Sequence, residues 1–362
     1  PIDVPAYRAL LLTPEEEHIQ QQGGTWSEIF PPSGWPTRMA LPLWLLLVEG
    51  LGWLALPLAH FFLGRLADGG YLPAKALGIL LLRYLSWLLA ATHLLPYTRW
   101  TLLLVLGLLL VAGGAVGWRR RRELQELFRT RWRLLLLEEG VFLGGFFLFL
   151  LIRLGNPDVW HPYFGGEKPM DLAYLTAIVR STTFPPYDPW FAGGYLNYYY
   201  FGHVLLAGLI KLTGIVPAVA YNLAIPLLYG LTCGGAFTVA YHLVEREKPW
   251  ERRAVYAGLA GVIFVALLGN LGEYMLILNQ LGEASGLAFE SHIPGLAAAV
   301  KGVAGLFPIL RGAPFNVGLH QWYWDASRVI TDVLHRPVHG GEINEFPFFT
   351  FLYADLHAHM IA

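Results

Sequence analysis

Long apolar runs separated by short polar stretches dominate this chain, and their lengths decide its class. A helix needs about 20 apolar residues to cross the hydrocarbon core of a bilayer. Runs of that order cover residues 40–63, 76–96, 100–117, 134–153, 219–244 and 254–279, and a further one starts near Phe346. Residues 198–214 are apolar as well, but the run is shorter and carries His203 and Lys211. It is expected to lie in the membrane interface rather than to cross. The pattern predicts an all-α polytopic transmembrane bundle with large external loops that contain interfacial helices. Gly295–Leu310 reads as an amphipathic or re-entrant helix.

Composition sharpens this picture. Of 362 residues, 55% are hydrophobic and only 14% are charged, against roughly a quarter charged in a soluble domain. The mean hydropathy is +0.47. A formal net charge of −1 with one cysteine, Cys233 inside an apolar run, excludes an intrachain disulfide and a cysteine metal site. Nucleic acid is not an expected partner, because no basic face recurs outside one arginine cluster. That cluster sets the orientation. Arg119, Arg120, Arg121, Arg122, Arg129, Arg131 and Arg133 follow the third run and mark a cytoplasmic loop.

Residues 154–197 then fall on the external side. If 198–214 does not cross, 245–253 with Arg246, Lys248, Arg252 and Arg253 is cytoplasmic, as the charge rule asks. The expected organisation is an external segment 1–39, a four-span region 40–153, and a core 154–362. The opening Pro1 and an ending inside an apolar run suggest a piece of a longer protein.

Candidate chemistry sits in the loops. Residues 154–197 place Glu167, Lys168, Asp171, Asp188 and Asn197 among prolines and glycines, too long and too polar for a plain connector. Pro169–Leu175 reads as a short amphipathic helix with Asp171 in its first turn, where helical N–H groups favour a carboxylate. Phe184–Trp190 is an irregular turn, since three prolines bar regular structure. Asn197 and the aromatic run Tyr198, Tyr199, Tyr200 and Phe201 precede His203. The rings cannot all face one side: they form an interfacial belt or a platform for a sugar ring or a polyprenyl chain. A second external region holds His320, Trp322, Trp324, Asp325, Arg328 and His335.

Finally Asp355, His357 and His359 stand inside an apolar segment, where ionisable groups are costly and mark function. On a helix Asp355 and His359 share a face; in a broken segment all three align. They suit a divalent metal ion, a phosphate contact, or polar packing. Glu49, Arg83 and Glu273 lie within or near spans.

Asn197–His203, Trp324–Arg328 and Glu345–Phe349 with Asp355–His359 resemble the hallmark segments of the "YYY" family of very hydrophobic membrane proteins, from about residue 20 onward. More distantly, the layout is similar to GT-C-type glycosyltransferases. That resemblance implies a membrane lipid-linked sugar donor, a glycan or protein acceptor and a place in the plasma membrane. It makes Asp171, with Glu167 beside it, the catalytic base candidate, taking the proton of the acceptor hydroxyl. Lys168, Asp188, Asn197, Tyr198, Tyr199, Tyr200, His203 and Arg328 become substrate contacts, with Arg328, His357 and His359 toward the phosphate. The acidic loop follows the fourth run here, where GT-C enzymes carry it after the first. A transporter, flippase or structural subunit handling lipid-linked glycans is the alternative.

Overall fold

The computed structural model describes residues 13–15, 18, 32–160, 166–246, 250–268, 272–315, 327 and 344–361. Helices are the regular elements among them, with one isolated antiparallel bridge, Tyr187 to Tyr195. Five helices are long and apolar enough to cross a membrane: α1 (Ala40–Leu63), α2 (Tyr71–Ala91), α3 (Arg99–Arg119), α4 (Arg121–Gly155) and α7 (Pro217–Val244). Between the last two lie α5 (Lys168–Arg180) and α6 (Phe201–Thr213). The chain is therefore an all-α membrane bundle.

One expectation about the spans is corrected. The arginine cluster is not a loop. Arg120 is a one-residue break, and the other arginines end α3 or ride on α4. At 35 residues, α4 is about 52 Å long, so its first turns reach beyond a hydrocarbon core of about 30 Å. The run 254–279 is helical on both sides of residues 269–271, which lie outside the described residues. An α-helix α8 (Arg252–Val262) passes into π-helical turns over Ile263–Leu268, and α9 (Gly272–Ser285) follows. Glycine explains the packing of α8. A Cβ on Gly261 would meet the Ala236 carbonyl oxygen at 2.8 Å, and one on Gly258 would meet the Phe237 ring at 2.6 Å.

Two compact units emerge. The first comprises residues up to Val262 together with Ala354–Ala362, and the second comprises Ile263–Tyr353. In the second, α9 packs along α10 (Leu296–Leu310), which confirms a helix over the Gly/Ala-rich stretch. Its backbones approach closely, since a Cβ on Gly305 would overlap the Leu281 carbonyl.

In the first unit α4 and α7 are antiparallel neighbours. Near one end the Arg153 Nε donates to Asn222 Oδ1 at 2.9 Å, midway Gly145 meets Cys233, and near the other Thr238 Oγ1 donates to Glu138 at 3.3 Å. Where α4 leaves the bundle α7 re-enters it, so α5 and α6 return to the side from which they started. At 13 residues, α6 is about 20 Å long, too short to span. It lies among the ends of α2, α3 and α5. Arg83 Nε donates to the Leu205 carbonyl at 3.1 Å, and Arg99 Nε donates to the Lys211 carbonyl at 2.6 Å.

Close helix packing also joins α1 to α2. A Cβ on Gly78 would stand 2.2 Å from the Leu51 carbonyl oxygen, so Gly78→Ala must push the helices apart. The expected cost is about 1–3 kcal/mol, seen as a lower melting temperature in detergent.

Lys211 pins α6 from inside. Its Nζ donates to the carbonyls of Tyr97 and Ser181, and burial lowers its pKa from 10.5 to about 7. Between those values the unfolded chain holds a proton that the folded chain has released. Stability accordingly rises with pH across that window and is lost as pH falls to about 7. Melting temperatures measured through it should climb for the wild type and stay level for Lys211→Met.

Candidate functional site

The N-terminus of α5 organises the site. Gly166, at φ +59°, turns the chain into it, and Pro169 stands in its first turn, where a missing N–H costs nothing. Glu167, Lys168 and Asp171 therefore leave one helix end in different directions. A second strand of the site comes from residues 354–357. There α11 (Pro347–Tyr353) ends and α12 (Ala358–Ile361) has not begun. Ala354 adopts a left-handed φ of 64°, uncommon outside glycine. The break has a visible anchor: the Tyr221 hydroxyl donates to the Ala354 carbonyl at 3.1 Å and accepts the Leu356 N–H at 2.9 Å.

These two pieces are joined by charge. Asp355 Oδ2 accepts the Glu167 backbone N–H at 3.0 Å, and its Oδ1 lies 3.3 Å from Lys168 Nζ in a nearly buried ion pair. Burial pushes the Asp355 carboxyl above its usual range, while Lys168 and the Glu167 N–H pull it back down. On the more open side, His357 Nε2 stands 2.6 Å from Glu167 Oε2 and 2.6 Å from the Tyr198 hydroxyl. The Glu167 side chain is 51% exposed. Burial, and then the carboxylates Glu167 and Asp171, raise the Tyr198 phenol above its ordinary value. It thus keeps its hydrogen at neutral pH.

Behind this face lies a sealed pair. Asp171 and His203 are buried, with His203 Nε2 3.6 Å from Asp171 Oδ1. Neither carboxylate oxygen and neither ring nitrogen makes a hydrogen bond. Buried polar atoms in that state are rare and mark strained or functional places. Tyr174 separates the two layers, its ring 5.7 Å from Tyr198 and 6.4 Å from His203.

The aromatic run divides as its crowding requires, ahead of the helix rather than on it. Tyr198 faces His357, Tyr199 is 72% exposed, Tyr200 stacks on Phe184, and Phe201, which starts α6, meets Trp87. Not every candidate joins the site. Asp188 Oδ1 caps its own turn by accepting the Trp190 and Phe191 N–H groups, so it shapes the proline loop. Asn197 is exposed beside Tyr198.

Of the two readings of Asp355 and the histidines after it, the broken segment is the one found over 354–357, where Ala354 and the residues after it interrupt the helix. Asp355 and His357 turn to different partners, and among the described residues no group of three metal-type ligands forms. The His359 side chain and all of Arg328, His161, His320, Trp322, Trp324, Asp325 and His335 lie outside the described residues.

Tyr221 was missed by sequence reasoning. A tyrosine one turn into a span looks like any belt residue, and only its hydroxyl contacts across the fold reveal it. A groove of about 640 Å³ lined by Trp35, Leu46, Arg99 and Gly214 holds none of the site residues.

Residues 81–362 match a family described as "Uncharacterized membrane protein (DUF2298)". The chain belongs to that family. Residues Glu167 to His357 of this DUF2298 member all fall inside the matched stretch. No curated protein and no solved structure matches the chain.

Proposed function

We propose that this chain is a plasma-membrane glycosyltransferase that moves a sugar from a polyprenyl-phosphate donor to an acceptor hydroxyl of a glycan or protein. One observation carries it: Glu167, Tyr198 and His357, from three distant segments, meet on an open face at the bundle end opposite the arginine cluster. A carboxylate, an imidazole and a phenol within 2.6 Å of a shared nitrogen can pass a proton.

The acceptor O–H gives its proton to the Glu167–His357 pair, and its oxygen attacks the anomeric carbon. The bond from that carbon to the phosphate oxygen breaks, and polyprenyl phosphate leaves with the electron pair. Exposed Tyr199, Tyr198 beside it and Asn197 line the approach of the sugar. Arg328, and His359 with it, are assigned to the leaving phosphate from the sequence resemblance. Asp171 is sealed from solvent, so in this proposal it positions His203 and Tyr174 rather than touching the acceptor. Lys168 holds Asp355, and no step is assigned to a metal.

The alternative, a transporter or flippase for lipid-linked glycans, draws on the ionisable groups between the spans. The test is a purified protein reconstituted with a polyprenyl-phosphate hexose labelled in the sugar. Release of label from the lipid phase onto an added acceptor supports transfer. Label that crosses the vesicle still attached to lipid supports the alternative, and intact donor on its original side overturns both.

A further inference from the structure

A second polar cluster lies far from this site, toward the arginine-bearing end of the bundle. Lys75 Nζ on α2 is held between Glu49 of α1 and Glu139 of α4, the latter at 2.9 Å. The Tyr71 hydroxyl donates to the same Glu139 carboxylate at 2.8 Å. The preceding residue, Glu138, is fully buried, and so is Asp68 in the turn between α1 and α2. Each keeps one carboxylate oxygen with no hydrogen-bond partner.

Charge counting makes this arrangement unusual. Four carboxyl groups, Glu49, Asp68, Glu138 and Glu139, share one ammonium. The other groups packed near Glu138 come from α7, and among the described residues none of them forms an ion pair with it. They are Thr238, whose hydroxyl donates to its Oε1, Tyr241, and His242 one turn on. His242 Nδ1 lies 2.6 Å from the Thr238 carbonyl, which can only accept, while Nε2 accepts the Ala67 N–H at 3.1 Å. Nε2 also faces Asp68 Oδ1 at 3.3 Å, so any charge the ring carries is matched by Asp68 rather than by Glu138. A buried carboxylate with no counter-charge takes up a proton instead.

We propose that Glu138 is a proton-binding site of the bundle, filled at neutral pH and linked through Thr238, His242 and Asp68 to the arginine-bearing side. The link is continuous in space. Thr238 touches Glu138 by its hydroxyl and His242 by its carbonyl, and His242 Nε2 lies 3.3 Å from Asp68 Oδ1. Lys75 neutralises one of its two carboxylate neighbours, so the surplus falls on the carboxyl with no cation beside it.

Infrared spectroscopy of the full chain in nanodiscs tests this, because a protonated carboxyl has its own C=O absorption. At about pH 7, where an ordinary glutamate is ionised, the wild type should show that band and Glu138→Gln should lose one carboxyl's share of it. Glu49→Gln and Glu139→Gln should keep that share. Absence of the band in wild type, or its full survival in Glu138→Gln, overturns the site. Should Glu138→Gln not fold, Thr238→Val, which removes the hydroxyl bonded to the carboxyl, should move the band frequency, and an unmoved band counts against the assignment. Asp68→Asn removes a nearby negative charge, so the band should vanish at a lower pH than in wild type. An unshifted titration overturns the link to Asp68.

Discussion

Glu167→Gln should lower sugar transfer by about 10²–10⁴-fold, the range expected when a positioned proton acceptor is lost. Gln keeps the size of the side chain and its contact with His357 but cannot take a proton. Folding should be unaffected, because Glu167 reaches Asp355 through its backbone N–H, which the substitution leaves in place. His357→Ala should cost a similar factor. Since the two act on one proton, the double variant should be scarcely slower than either single one, the non-additivity of groups that work as a unit. Glu167→Asp, which keeps the acid but shortens its reach, should recover part of the rate. Turnover and melting temperature measured together decide the matter. Full activity in Glu167→Gln, or losses that multiply in the double variant, would remove the assignment.

Lys168→Met should be the most damaging single change to stability in the site, at about 3–5 kcal/mol for breaking one side of a buried ion pair. Both side chains are only 9% exposed. Without the ammonium, Asp355 has the Glu167 N–H as its remaining strong partner, and the 354–357 break loses one of its ties to α5. Replacing both members, as Lys168→Met with Asp355→Leu, removes the stranded charge and should restore much of the loss. Thermal unfolding of the single and double variants reads this directly. Equal melting temperatures for wild type and Lys168→Met would mean that the pair is not buried in the membrane-embedded protein.

The membrane class and most of the spans were legible from the sequence because they depend on local properties. Apolar length fixes α1, α3 and α7 to within a few residues, and the arginines of 119–133 mark one end of α4. The short helix with Asp171 in its first turn follows from Pro169 and the apolar spacing after it. That α6 does not span could also be argued, from charge parity. The change from α to π hydrogen bonding over Ile263–Leu268 was not legible, because hydropathy does not register it and the apolar residues stay in sequence order.

What sequence by itself determined, then, is the membrane bundle, the position of its long helices and the residue types available at the loops. Only the tertiary structure decided that Asp355 reaches Glu167 across 188 residues, that His357 meets Tyr198, and that Asp171 is shut behind Tyr174. Those outcomes depend on a left-handed turn at Ala354 held by the Tyr221 hydroxyl and on the antiparallel pairing of α4 with α7. Apolar spacing is read along one helix at a time. The meeting of distant side chains is set by how helices pack against one another and by the backbone angles of the few residues between them.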